Sequence, residues 1–290
     1  MNHQTPQDSD LLDGLIEMLP ELAGHHAPAG RFHNWLKPRV IEAIAARFGD
    51  ASDKPCTFEP FGSLVFPYVR MGNIDSLDLF GLDELILFSF YWRNRKRYRK
   101  AVDFGANLGL HSLVLSRCGF DLRSFEPDPV HLELLRDRLG RNDCAAVNLH
   151  AAAVSTQAGE HAFTRVLGNT TGSHLSGAKP NPYGDLESIT VPVEDALPHM
   201  AWADLVKMDI EGHEAEVLCA TDEALWQGLD AVAEVGSPEN AERIHAHFSK
   251  LAVNLFAQKT GWQRVQTLDD MPTSHRDGSL FISAAPEMPW

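Results

Sequence analysis

Over the first hundred residues the apolar positions mostly repeat at helical spacing. Leu11, Leu12, Leu15, Ile16 and Leu19 share one face, with Asp8 or Ser9 available to cap the start. Pro28-Ala29-Gly30 breaks that pattern. Trp35 to Phe48 predicts a second helix ending near Gly49. From Thr57 to Val69 the pattern shortens to β-like pieces around Gly62 and Pro67, and Asp83 to Trp92 predicts an apolar helix. Residues 1–98 therefore read as an N-terminal extension of helices and short strands, packed on a main domain of residues 99–290.

From Lys100 onward, strand-like and helix-like segments alternate. Strands are expected at Ala101-Val102-Asp103, Leu122–Phe125, Val147–Val154, Leu205–Ile210 and Ala231–Val235. Trp262–Leu268 and Ser279–Ser283 read as a closing hairpin. Helices are expected at Leu110–Cys118, at Pro129–Asn142 with Leu132, Leu135 and Leu139 on one face, and from about Glu214. This alternation predicts an α/β fold, with a mainly parallel sheet and helices on both faces. Ligands of such sheets bind beyond the carboxyl ends of the strands, near the switch in strand order.

Composition narrows the class. The chain has 290 residues, 44% hydrophobic, which is enough for one large domain with an extension. Its formal net charge of −15 argues against nucleic acid or an anionic membrane surface as partner. Cys56, Cys118, Cys144 and Cys219 show no metal-ligand spacing and no secreted disulfide pattern, so reduced thiols in a cytoplasmic protein are expected. The polar start MNHQTPQDSD lacks the character of a signal peptide, and no apolar run approaches a membrane span.

The candidate chemistry begins at DFGANLGLHS, residues 103–112. A dinucleotide fingerprint needs a glycine at the position of Asn107, where the backbone approaches a pyrophosphate. A nucleoside with an amino-acid tail has no such need. Asp103 can meet an amino group, Gly105 and Ala106 let the chain turn beside a ligand, and Asn107 with nearby N–H groups can hold a carboxylate. Gly109 closes the turn. Glu126, followed by Pro127, ends the next strand about 20 residues on, the place of a ribose-binding acid. An ordinary strand-to-helix turn with a solvated Glu126 is the plainer alternative.

VDFGANLGLHS, FEPDP and KMDIEGHE, in that order and spacing, resemble the FkbM-type S-adenosylmethionine-dependent methyltransferases over about residues 100–285. The resemblance implies a Rossmann-like class I methyltransferase fold with a seven-stranded sheet whose last strand is antiparallel. It also implies S-adenosylmethionine as cofactor and methyl transfer, usually to oxygen, on a sugar, glycan or secondary metabolite. Asp103, Gly105, Asn107 and Gly109 fall in the first motif and Glu126 in the second. Asp209, Glu211, Gly212, His213 and Glu214 fall in the third, and Glu234 matches an acidic strand end. Asn169 to Asp185, NTTGSHLSGAKPNPYGD, departs from the pattern and reads as a substrate lid.

Methyl transfer to a hydroxyl requires alignment and a base for the departing proton. His213 or Glu211 can take the proton; His213 is favoured because its ordinary pKa suits neutral pH, with Asp209 positioning acceptor or cofactor. Glu214 can equally cap the next helix, His213 can be a packed histidine, and Lys207 can pair with a carboxylate. Asp209, Glu211, His213 and Glu234 could also ligate Mg²⁺, but no spacing demands it and no metal is expected. RNRKRYRK, residues 93–100, carries six basic residues. It reads first as a solvated helix end, second as a patch for an anionic acceptor. Trp290 is expected to pack on the domain or on a second subunit.

The sequence thus predicts a cytoplasmic O-methyltransferase acting on a small-molecule or glycan acceptor, with a homodimer left open. An NAD-dependent sugar oxidoreductase or epimerase and a non-catalytic binding module are the alternatives.

Overall fold

Two residues before position 100 explain where the pattern misled. Pro20 lacks an N–H and cannot continue an α-helix, so α1 (Leu15–Met18) tightens into a 3₁₀ segment, Leu19–His25. In α2 (Arg31–Phe48) the first turn, Arg31-Phe32-His33-Asn34, holds a single apolar residue, so the helix begins four residues before the apolar pattern does. α3 (Leu82–Arg93) buries nearly its whole length, as its composition predicts. The β-like pieces between are two short antiparallel pairs, Cys56–Thr57 with Ser63–Leu64 and Arg70–Met71 with Ile74–Asp75.

The computed structural model describes residues 11–50, 53–179 and 184–290; the caps expected of Asp8 and Ser9 lie outside the described residues. Numbered from the main sheet, the following elements are β1 (Lys100–Phe104), α4 (Leu110–Arg117), β2 (Asp121–Phe125), α5 (Pro129–Arg141), β3 (Asn148–His150), β4 (Ala153–Ser155), β5 (Gly159–Val166), β6 (His174–Leu175) and β7 (Leu186–Asp195). Then come α6 (Ala196–Trp202), β8 (Leu205–Met208), α7 (Glu214–Leu218), β9 (Asp230–Ala233), α8 (Pro238–Phe248), β10 (Asn254–Ala257), β11 (Gln263–Arg264) and β12 (Leu280–Ser283).

The main sheet runs β11-β10-β12-β9-β8-β1-β2-β3. The strands from β9 to β3 are parallel, and β12 enters antiparallel between β9 and β10. The sheet has eight strands, not seven, because two-residue β11 adds an edge. The expected closing hairpin is corrected too: β11 pairs with β10, while β12 pairs with β9 and β10. The expected strand at 147–154 breaks after His150. β3 stays in the main sheet, whereas β4 joins a second sheet, β6-β5-β7-β4. Its long strands β5 and β7 bury only two side chains each, which leaves little apolar pattern to read.

Alternation along each strand divides the core. Ala101, Leu122, Leu205, Val232 and Phe281 pack in the cluster that holds α1 to α5, reaching back to Leu12. Val102, Phe104, Val206, Met208 and Ala231 pack in the cluster with α6, α7 and α8 on the other face. Trp290 packs within the chain, its ring 5.1 Å from His26, 5.5 Å from Phe90 and 5.6 Å from Trp262. All four cysteines are free thiols. Among the described residues no helix is long and apolar enough to cross a membrane.

Candidate active site

Strand register assembles the site. Phe104 is level with Phe125 on one side and Met208 on the other, and Met208 is level with Ala233. The next residues, Gly105, Glu126, Asp209 and Glu234, therefore emerge side by side at the carboxyl edge, where the chain order reverses about β1. Three backbone bonds hold the edge: Gly105 N–H to Phe125 O at 3.1 Å, Asp209 N–H to Phe104 O at 3.1 Å, and Glu234 N–H to Met208 O at 2.9 Å. A cavity of about 940 Å³ opens there, lined by Gly105, Asn107, Glu126, Pro127, Asp209, Glu211, His213 and Glu234.

Asp103, Ala106 and Gly109, all expected at the ligand, do not line this cavity. Asp103 is one residue short of the strand end and faces α4. It is fully buried, with Oδ2 accepting from Ser112 Oγ at 2.6 Å and Oδ1 3.3 Å from Lys207 Nζ. Register sets Lys207 beside Asp103 on one neighbouring strand and Ser124 on the other, and Ser124 Oγ lies 2.8 Å from Ser112 Oγ. Lys207 also donates to Gly105 O at 2.8 Å. Burial disfavours its charge, but Asp103, Asp209 and Glu84 more than offset this and hold its pKa above the ordinary lysine value.

The N–H groups of the turn are largely engaged within the protein. Ala106 N–H donates to Phe125 O at 2.9 Å and Gly109 N–H to Ala106 O at 2.8 Å. Asn107 N–H donates to Glu126 Oε2 at 2.7 Å, and Asp128 N–H to Glu126 Oε1 at 2.8 Å. Burial pushes the Glu126 carboxyl up to about 8, against the pull of these two bonds. The Asn107 side-chain oxygen is buried without a partner. Gly109, at φ 89°, is held by α5: a Cβ there would stand 2.2 Å from Leu135 Cδ1.

The turn after β8 carries the remaining acids. Glu214 is buried and accepts from Ile210 N–H at 2.8 Å and Gly212 N–H at 3.0 Å, so it clamps the turn from within. Burial lifts its carboxyl to about 7, with Asp209 adding to the effect. Glu211 pairs with Lys179. Burial and neighbouring Asp209 raise Glu211 to about 7, although Lys179 opposes them. Burial, followed by Asp209, Glu211 and Glu214, pushes Glu234 well above the ordinary range. His213 Nε2 lies 2.9 Å from Ser155 Oγ, and burial depresses its pKa. Asp209 Oδ1 is buried and has no partner.

Several cavity residues escaped the sequence reading. Glu84 comes from α3, and Lys179 from the segment expected to be a lid. That segment supplies wall in its described part, including Thr170, His174 and Lys179; residues 180–183 lie outside the described residues. The basic run at 93–100 sits at the opposite, amino end of the strands. There Arg97 lies 3.4 Å from Asp230 and Arg95 stacks on Trp92, so it is no acceptor patch for this cavity.

Among the described residues, the metal-capable group whose ligand atoms converge is His150, Glu194 and His199. It is organised as a hydrogen-bonded cluster. Arg123 lies 3.0 Å from His199 Nδ1, a nitrogen that would need an acceptor if the other bound a cation, and His150 Nε2 has no partner.

The model of the Methyltransferase FkbM domain matches residues 103–251, slightly more than half of the chain. The methyltransferase sdnD of Sordaria araneosa is 25% identical over 196 residues, covering 56% of this chain and 76% of that protein. Among solved structures, the O-methyltransferase TomG from Streptomyces achromogenes, in complex with S-adenosylmethionine, is 12% identical and covers 68% of this chain and 78% of its own, with a TM-score of 0.37. The O-methyltransferase from Bacillus cereus, in complex with S-adenosylhomocysteine, is 10% identical over 67% and 78%, with a TM-score of 0.35. The fold follows from the strand order above. The chain belongs to the FkbM family of methyltransferases, class I enzymes of Rossmann-like fold whose methyl donor is S-adenosylmethionine.

Proposed function

We propose that this protein transfers a methyl group to a hydroxyl of a small acceptor, such as a sugar, glycan or secondary metabolite, and that the turn 209–213 supplies the base. The observation that carries the reading is Glu211: a carboxylate at the cavity wall raised to about 7 by burial and Asp209. A general base works best when its pKa lies near the working pH. His213 is depressed by burial and engaged with Ser155, so it is the second candidate. The cavity volume suits a cofactor with a small acceptor.

The residues present fit S-adenosylmethionine. Each Glu126 oxygen accepts one backbone N–H, which leaves lone pairs for the two ribose hydroxyls. The unpartnered Asn107 oxygen offers an acceptor beside Gly105 and Pro127. When bound, the cofactor supplies a methyl group activated by its sulfonium. The protein's part is to hold the acceptor oxygen in line, receive its proton at Glu211, and use Asp209 to position the partners. Lys179 tempers Glu211 by favouring its ionised form.

Incubating the purified chain with methyl-labelled S-adenosylmethionine and parallel panels of hydroxylated and amine acceptors tests this. Label on oxygen, lost in Glu211→Gln, is expected; label on nitrogen alone would overturn the reading.

A further inference from the structure

The following rests on the S-adenosylmethionine reading. The methionine end of that cofactor carries an ammonium, which inside a protein requires a charged or carbonyl acceptor. Asp103 is the residue the motif suggests, but both its oxygens already face Ser112 and Lys207, and it is closed off from the cavity. An ammonium there would also stand against the Lys207 cation.

Glu84 is different. It is the third residue of α3, its side chain is 35% exposed, and it lines the cavity together with Gly105, Asn107 and Asp209. Its Oε2 accepts from His111 Nε2 at 2.7 Å. His111 lies in the first turn of α4, two residues past Gly109, which places Glu84 at the loop end of the cavity. A carboxylate only accepts, so Nε2 carries a proton, and Nδ1 is hydrogen-bonded to the Tyr91 hydroxyl 3.2 Å away. Tyr91 is fully buried, so this chain of bonds is anchored in the core. Glu84 Oε1 has no hydrogen-bond partner among the described residues and remains open to a ligand.

We infer that Glu84, contributed by the helix before the first motif, receives the ammonium of S-adenosylmethionine, with His111 and Tyr91 as its positioning residues. A carboxylate near the start of α4 also favours that helix through its dipole, so the test must separate ligand recognition from helix support.

The separating pair is S-adenosylhomocysteine and 5′-methylthioadenosine, which share the adenosine but differ in the amino-acid end. Calorimetric titration of the wild-type protein is expected to show tighter binding of the first. In Glu84→Gln, which keeps size and can still accept from His111, affinity for S-adenosylhomocysteine should fall about tenfold or more, the value of a charge-assisted bond. Affinity for 5′-methylthioadenosine should hold. His111→Ala should show a smaller loss confined to the same ligand. Unchanged S-adenosylhomocysteine affinity in Glu84→Gln would overturn the inference. Equal loss for both ligands would do so too, since a structural role moves both together. Wild-type protein that binds the two equally sinks the inference alone, whereas one that binds neither sinks the cofactor reading with it.

Discussion

The carbonyl oxygen of Asp209 occupies the space that a side chain on Gly105 would need: a Cβ there would lie 1.8 Å from it. Gly105 also holds φ at 78°, where side-chain-bearing residues are strained. The first glycine of the motif is thus required by the protein's own second loop, and it locks the turns after β1 and β8 together. Gly105→Ala should destabilise the fold by about 3 kcal/mol, from backbone strain with overpacking. Urea unfolding would check this; an unchanged midpoint would show that the loops part easily.

Glu126 should act on ligand affinity more than on catalysis. Glu126→Gln keeps the volume but turns one acceptor oxygen into a donor, facing either a backbone N–H or the ribose. At pH 9, where Glu126 is ionised, affinity for S-adenosylhomocysteine should fall about tenfold, from one lost or opposed hydrogen bond to a charged group. Calorimetry reads this directly, and full affinity in the variant would remove Glu126 from the cofactor site.

Lys179 sets the pH response if Glu211 is the base. Its charge favours ionised Glu211, so Lys179→Met should raise the Glu211 pKa above about 7. The acidic limb of the kcat profile should then move to higher pH. Glu211→Gln should lower kcat by about a hundredfold or more. A limb that stays in place in Lys179→Met would point to His213.

Stability should decline from mildly acidic to alkaline pH. Glu126, Glu211 and Glu214 are raised to about 8, 7 and 7 from an ordinary 4.5. Raised acids favour the folded state below the unfolded pKa, and that stability is lost as pH climbs through the folded values. His26 and His131, depressed by burial to about 4, act oppositely: their stability is present above 6.5 and lost as pH falls towards 4. From about pH 4.5 to 6.5 the three acids lose more than the two histidines regain, and above that only the loss remains, so urea midpoints should fall from pH 5 to pH 9; a steady rise to pH 9 would contradict this.

The elements around β1, β2, β8 and β9 were legible because apolar strand cores and glycine turns leave local signals. Asp209 and Glu234 were legible as strand-end acids, but the expected strands 205–210 and 231–235 ran past them, whereas β8 and β9 stop one residue before each. The second sheet was not: β5 and β7 bury only two residues each, and their pairing is non-local. Asp103 shows the limit of a motif. Its position was visible, but its direction depends on alternation and on Lys207 across the sheet. Glu84 was hidden more deeply, inside an apolar helix whose approach to the motif is set by tertiary packing. Its only local hint was His111 in the motif itself.

The most direct measurement is calorimetric titration of the purified protein with S-adenosylhomocysteine, with NAD in parallel. Micromolar binding of the first and none of the second is predicted. Binding of NAD alone, or of neither, would contradict an account in which the turn 103–109 and Glu126 hold an adenosyl cofactor.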